Sequence, residues 1–155
     1  MLTGDDSAAA NKNMMVVYEL EKQMAASHRT NVELRDVQAN YNKMAVADID
    51  KKMPNTGWKE LLSNLHISTD SVDLAQPGYY AKLDALLKTT PVDVWKTYLR
   101  FHLLDDVAYM LSNDFVQSNF EYYAKALSGQ KQIKPRWERV YGVIDQQFGD
   151  ALGQL

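Results

Sequence analysis

The chain has 155 residues, 46% of them apolar and 24% charged, with a net charge of −3 and no cysteine. That length supports one globular domain, and the composition excludes disulfides, thiolate metal sites and the overall positive field with which proteins gather nucleic acid. There is no Asn-x-Ser/Thr glycan acceptor, no signal-peptide order in MLTGDDSAAANKN, and no apolar run near the ~18 residues of a membrane span. A soluble piece is expected, with any targeting signal lying outside it.

Helical periodicity runs through nearly the whole chain. Ala10, Met14, Val17, Leu20 and Met24 recur at steps of three and four and share one helix face, with Asp5, Asp6 and Ser7 suited to its positive N-terminal end. Thr30 to Glu33 has capping-box spacing, which predicts a new helix after His28 and Arg29. Pro54, Asn55 and Gly57 break the pattern before Trp58, Leu61, Leu62 and Leu65 begin another element. Residues 68–76 alternate weakly around Val72 and Leu74, so a short extended piece and a loop are both open. From PGYY a helix carries Leu83, Leu86 and Leu87.

In TTPVD, Thr90 can cap, Pro91 suits the first helical position and Asp93 follows in the first turn. The helix so started presents Val94, Trp95, Tyr98, Leu99, His102, Leu103 and Val107, ending near LSND. Ser112 or Asn113 caps the next, which is expected to bury Phe115, Phe120, Tyr123 and Leu127 and to stop at Ser128 and Gly129. Pro135 opens the last helix, with Trp137, Val140, Tyr141, Ile144, Phe148 and Leu152 along one side. The fold class expected is all-α, a multi-helix bundle forming a single helical domain over residues 1–155.

Lys134 to Val140, KPRWERV, admits two readings: a phosphate-binding surface or a first helical turn. Trp137 and Val140 belong to an apolar stripe, so they are expected to face a core. Arg136 and Arg139 fall on the other side of the turn, where positive charge is mildly unfavourable. An acidic partner within the fold is expected there in preference to a phosphate. A nucleic-acid surface made of Lys131, Lys134, Arg136 and Arg139 is disfavoured by the acidic balance of the chain.

No constellation for chemistry stands out. His28, His66 and His102 are far apart, and none belongs to a zinc-binding His-Glu-x-x-His motif. His102 and Asp106 are four apart on a predicted helix, which suits a helical ion pair or a satisfied core histidine better than a metal site. Asp5–Asp6 and Asp105–Asp106 are adjacent and point apart. Ser27 and Ser63 lack a nucleophile-elbow context, and the seven glycines form no phosphate loop. The nine tyrosines and four phenylalanines read as core and interface residues, because base-stacking platforms sit in positive grooves.

Several segments in order carry a resemblance: VYELEKQMAAS, ELRDVQANYNKMAVADID, QPGYYAKLDALL, WKTYLRFHLLDDVAYMLSNDF, KALSGQKQIKPRWERV and GDALGQL. From about Met14 onward the chain resembles the neprilysin and endothelin-converting-enzyme family of zinc metallo-endopeptidases. The resemblance implies a portion of the large helical domain that faces the catalytic domain across a cavity admitting peptides and excluding folded proteins. It implies zinc in the parent enzyme, held by His-Glu-x-x-His and Glu-x-x-x-Asp motifs that this chain lacks, with a glutamate as general base.

No catalytic or metal residue is therefore carried over. The residues touching substrate stay unassigned, no cofactor is expected in this chain, and the chain alone should be inactive. The expected partners are the catalytic domain of the same polypeptide and the parent's peptide substrates, without nucleic acid or membrane contact from this segment. An extracytoplasmic, periplasmic or cell-surface parent is implied. Val140 stands where vertebrate members can have a cysteine, which points to a bacterial source. The rival reading is a stand-alone helical interaction module, which would need a polar-finished surface where an excised piece would leave an apolar patch.

Overall fold

The computed structural model describes residues 2–153, and among them the chain is helical with one small sheet. It divides into two compact units, Thr3–His102 and the residues from Leu103 onward.

In the first unit α1 spans Ser7–Ala25. Asp6 caps it, Oδ1 accepting from the Ala9 N–H at 2.8 Å, as the acidic start predicts. Val17, Leu20 and Met24 of the expected stripe are buried, whereas Met14 is 54% exposed. The capping box at Thr30 forms as well: its N–H and Oγ1 each donate to Glu33 Oε2 at 2.7 Å. Those bonds, the backbone one foremost, hold the Glu33 carboxyl below its usual range. The helix expected there is only a 3₁₀ turn, Glu33–Arg35, followed by the four-residue α2, Val37–Asn40. Asp36 accepts from the Ala39 N–H at 3.0 Å and restarts the backbone, so the capping signal opens a turn and not a long helix.

Residues 68–76 contain an extended piece. Strand β1, Lys43–Ala45, pairs antiparallel with β2, Ser71–Asp73, in the register Lys43 with Asp73, Met44 with Val72 and Ala45 with Ser71. The pair frames α3, Val46–Lys52, and α4, Trp58–Asn64. Between these helices Gly57 takes φ +63°, which the open space around it permits and which a side chain would resist. Val46, Ile49, Met53, Trp58 and Leu74 close into one core. Ile49 is completely buried there, which stabilises by about 2 kcal/mol relative to leaving it in water.

Helix α5 runs Pro77–Thr89 with proline in its first turn, and α6 runs Val92–Val107 after the break at Thr90 and Pro91. Thr90 serves as the C-cap of α5 and not as the N-cap expected of it. Leu20 and Met24 of α1 pack on Leu86 of α5, with Tyr79, Leu83, Val94, Trp95 and Tyr98 around them. Further along α6 the expected stripe fails: Leu99 and Leu103 are exposed, and the helix has no fully buried residue.

In the second unit, a 3₁₀ turn, Ala108–Met110, leads into α7, Asn113–Asn119, with Ser112 at the N-cap position. The helix widens into a π-helical stretch, Phe120–Leu127, and ends at Gly129, whose φ is +71°. Val116 and Phe120 are buried, but Tyr123 and Leu127 are exposed, contrary to expectation. A change from i+4 to i+5 bonding rotates each later residue out of an α-helical stripe, which moves these two off the packed side.

Helix α8, Arg136–Leu152, follows Pro135, which occupies the N-cap position. None of its residues is fully buried, and Trp137 is 70% exposed, so the core expected for Trp137 and Val140 is not supplied by the described residues.

Candidate functional site

The residues nominated for chemistry are held apart, each by a structural role. Ser27 Oγ donates to the Met24 carbonyl at 2.7 Å and finishes α1. His28 lies against the Tyr79 ring, centroids 4.2 Å apart. Ser63 and His66 belong to the end of α4. There the Ile67 N–H reaches the Leu62 carbonyl at 2.9 Å and the His66 N–H the Ser63 carbonyl at 3.0 Å, with His66 at φ +56°. That is a Schellman closure with histidine where glycine is usual.

His102 does not pair with Asp106. Its Nε2 lies 2.8 Å from Glu21 Oε1 on α1, and its ring stacks near Tyr98 at 4.3 Å and Phe101 at 5.2 Å. A carboxylate reached from another helix wins over the one four residues away, because the aromatic neighbours fix the imidazole facing α1. Burial, and then the nearby Glu21 charge, push the Tyr98 phenol up.

Asp105 and Asp106 both bear on Tyr123. Asp105 Oδ2 accepts from the Tyr123 hydroxyl at 2.5 Å, and that bond, with partial burial, pushes the Tyr123 phenol up to about 12. Among the described residues no three His, Asp or Glu side chains come together as a metal-binding group.

Two concavities accompany these residues, one in each unit. An open groove of about 580 Å³ lies along α1 and the α5–α6 junction, lined by Met15, Val16, Leu20, Pro91 and Val94 with Lys12 and Glu19 at its edge. A smaller cavity of about 250 Å³ lies between α7 and the first turns of α8, and Arg136 and Arg139 line it. The acidic partner expected for these arginines is absent among the described residues, whose ion pairs all lie elsewhere. Lys131 and Lys134 sit on the exposed, irregular segment before α8.

A model of peptidase family M13, of its N-terminal part, matches residues 1–155. The chain belongs to peptidase family M13. Among curated relatives of this M13 chain, mouse endothelin-converting enzyme-like 1 is 25% identical over 153 residues, covering 95% of the chain and 20% of the relative. Human membrane metallo-endopeptidase-like 1 is 26% identical over 159 residues, covering 97% and 20%. A crystal structure of Mycobacterium tuberculosis zinc metalloprotease Zmp1 with an inhibitor superimposes with a TM-score of 0.90 at 26% identity, over 97% of the chain and 23% of Zmp1. The M13 chain thus spans about a fifth of the length of the curated relatives it matches.

The zinc in Zmp1's name finds no fitting ligand set among the described M13 residues, where His28 lies on Tyr79, His102 on Glu21 and His66 at the exposed end of α4. Sequence reasoning missed Asp84, which is 6% exposed on α5. Nothing within KLDALL marks it, because its four donors come from Asn55 and Thr56, nearly thirty residues earlier.

Proposed function

We propose that this chain is a non-catalytic part of a zinc metallo-endopeptidase acting on short peptides, and that it walls the substrate cavity and limits what can enter. The observation that carries the reading is the match of the whole chain to a fifth of peptidases that are far longer, without a converging ligand set among its described residues. Its surface supports the same reading. Trp137, Tyr141, Phe148 and Leu152 of α8 are all exposed, as are Leu99 and Leu103 of α6. Such faces call for cover that the described residues do not provide.

In this role the helices act by shape and by withholding water from a bound peptide. The working partners are the remaining polypeptide, which would hold the zinc, and the peptide. Nucleic acid has no part in it, given the net charge of −3. The parent would work outside the cytoplasm, at the cell surface or in the periplasm. No described helix is long and apolar enough to cross a membrane. A stand-alone interaction module is disfavoured by the exposed apolar residues.

Two measurements test the proposal. The pure 155-residue chain, with zinc added, should hydrolyse no fluorogenic peptide, whereas the full-length protein should do so in a chelator-sensitive way. Chelator-sensitive turnover by the short chain would refute the division of labour. A peptide analogue carrying a photo-crosslinker, bound to the full-length protein, should label residues within 1–155. Labelling confined to other parts of the polypeptide would remove the cavity-wall role.

A further inference from the structure

The cavity at the start of α8 has a charge imbalance that its own unit does not correct. Its lining includes Arg136, Arg139, Asn113, Val116, Tyr109 and Val140, and no residue of the lining carries a carboxylate. Arg139 Nε is withdrawn from solvent and has no hydrogen-bond partner. The first turn of α8 has no side-chain cap either, since its N-cap residue is Pro135. Glu138, on the same turn, makes an ion pair with neither arginine. Arg136, which is exposed, and Arg139, half-buried with its Nε unpartnered, therefore line one apolar-walled pocket near the positive end of α8, an arrangement that a negative charge would stabilise.

We propose that Arg136, Arg139 and the first turn of α8 form a carboxylate-binding site. Its occupant in the full-length protein is an Asp or Glu side chain from polypeptide outside residues 1–155. The planar guanidinium offers Nε–H and Nη–H as a fork matched to two carboxylate oxygens. A single negative charge of that size suits a cavity of 250 Å³ walled by Val116, Val140 and Ile144, where a doubly charged phosphate would lose more hydration. The occupant comes from the same polypeptide because the matched relatives are about five times as long as this span, and the adjoining exposed Trp137 and Tyr141 require a covering segment. This inference rests on the proposed reading of the chain as part of a longer peptidase.

The test uses the full-length protein. Its structure should show a side-chain carboxylate within hydrogen-bond distance of Arg139 Nε. Arg139→Gln should lower the melting temperature, and Arg139→Lys, which keeps the charge but not the fork, should lower it nearly as much. Replacing the identified Asp or Glu by its amide should cost a similar amount, and combining it with Arg139→Gln should add little more. Additive losses overturn the proposal, because a merely structural arginine would be independent of that partner. A cavity filled by water or a neutral side chain overturns it too, as does a carboxylate present only when a free-acid peptide is bound. A reading frame that stops soon after residue 155 removes this inference and the proposed function together, whereas a long frame with no carboxylate at Arg139 removes this inference alone.

Discussion

Asp84 holds together two parts of the first unit that are distant in sequence. Its Oδ1 accepts from the Asn55 and Thr56 N–H groups, both at 2.8 Å, and from Thr56 Oγ1 at 3.0 Å, while Oδ2 accepts from Asn55 Nδ2 at 2.7 Å. Burial disfavours the charged form, but the bonds from Asn55 and Thr56 outweigh it and hold the carboxyl below its ordinary range. Replacing Asp84 with Ala leaves these donors unmatched and should cost about 3 kcal/mol in urea unfolding. Because the folded-state value is depressed, the stabilisation is complete above the unfolded value of ~3.9 and is lost as pH falls through the lower folded one. Asp84→Asn should therefore flatten the acid limb of the stability curve. An unchanged limb would show that other carboxylates govern it.

At the scale of elements, His66 closes α4 in a conformation that suits glycine. The side chain is exposed and φ is +56°, so little packing opposes a change. His66→Gly should raise stability by about 0.5–1 kcal/mol, net of the extra freedom glycine gains when unfolded. A loss on denaturant titration would mean that the imidazole makes a contact worth more than the strain. Sequence signals at element ends were legible where they are local, as at Asp6, Pro54 to Gly57, Pro91 and Gly129. They failed where the next residues compete: Asp36 recaps the chain only six residues after Thr30, so the box yields a turn. The π-helical stretch had no signature, since i+5 bonding is a choice made by packing and not by residue type.

For the whole molecule, the informative feature is apolar surface left without a neighbour. Trp137, Tyr141 and Phe148 are 70%, 67% and 60% exposed on one helix, where monomeric proteins keep their largest apolar patch to about 300–600 Å². The isolated chain should self-associate as its concentration is raised in sedimentation velocity, and polar replacement of these three residues should suppress the association. A monomer at every concentration would count against the need for a covering partner. The amphipathic pattern of α8 was visible from spacing alone, but its exposure was not, because periodicity says which residues share a face and not what that face meets.

By itself the sequence determined the helical class, most breaks between helices, and membership of a peptidase family whose catalytic motifs it lacks. These depend on short-range stereochemistry and on motif order, which a linear string preserves. Tertiary structure alone decided that His102 answers to Glu21 and not Asp106, that Asp84 pins the Asn55–Thr56 turn, and that Arg139 Nε lies buried without an acceptor. Each of those outcomes depends on which groups approach through space after the helices pack. Hydrogen bonds and charges act over a few ångströms of space, whatever the separation along the chain.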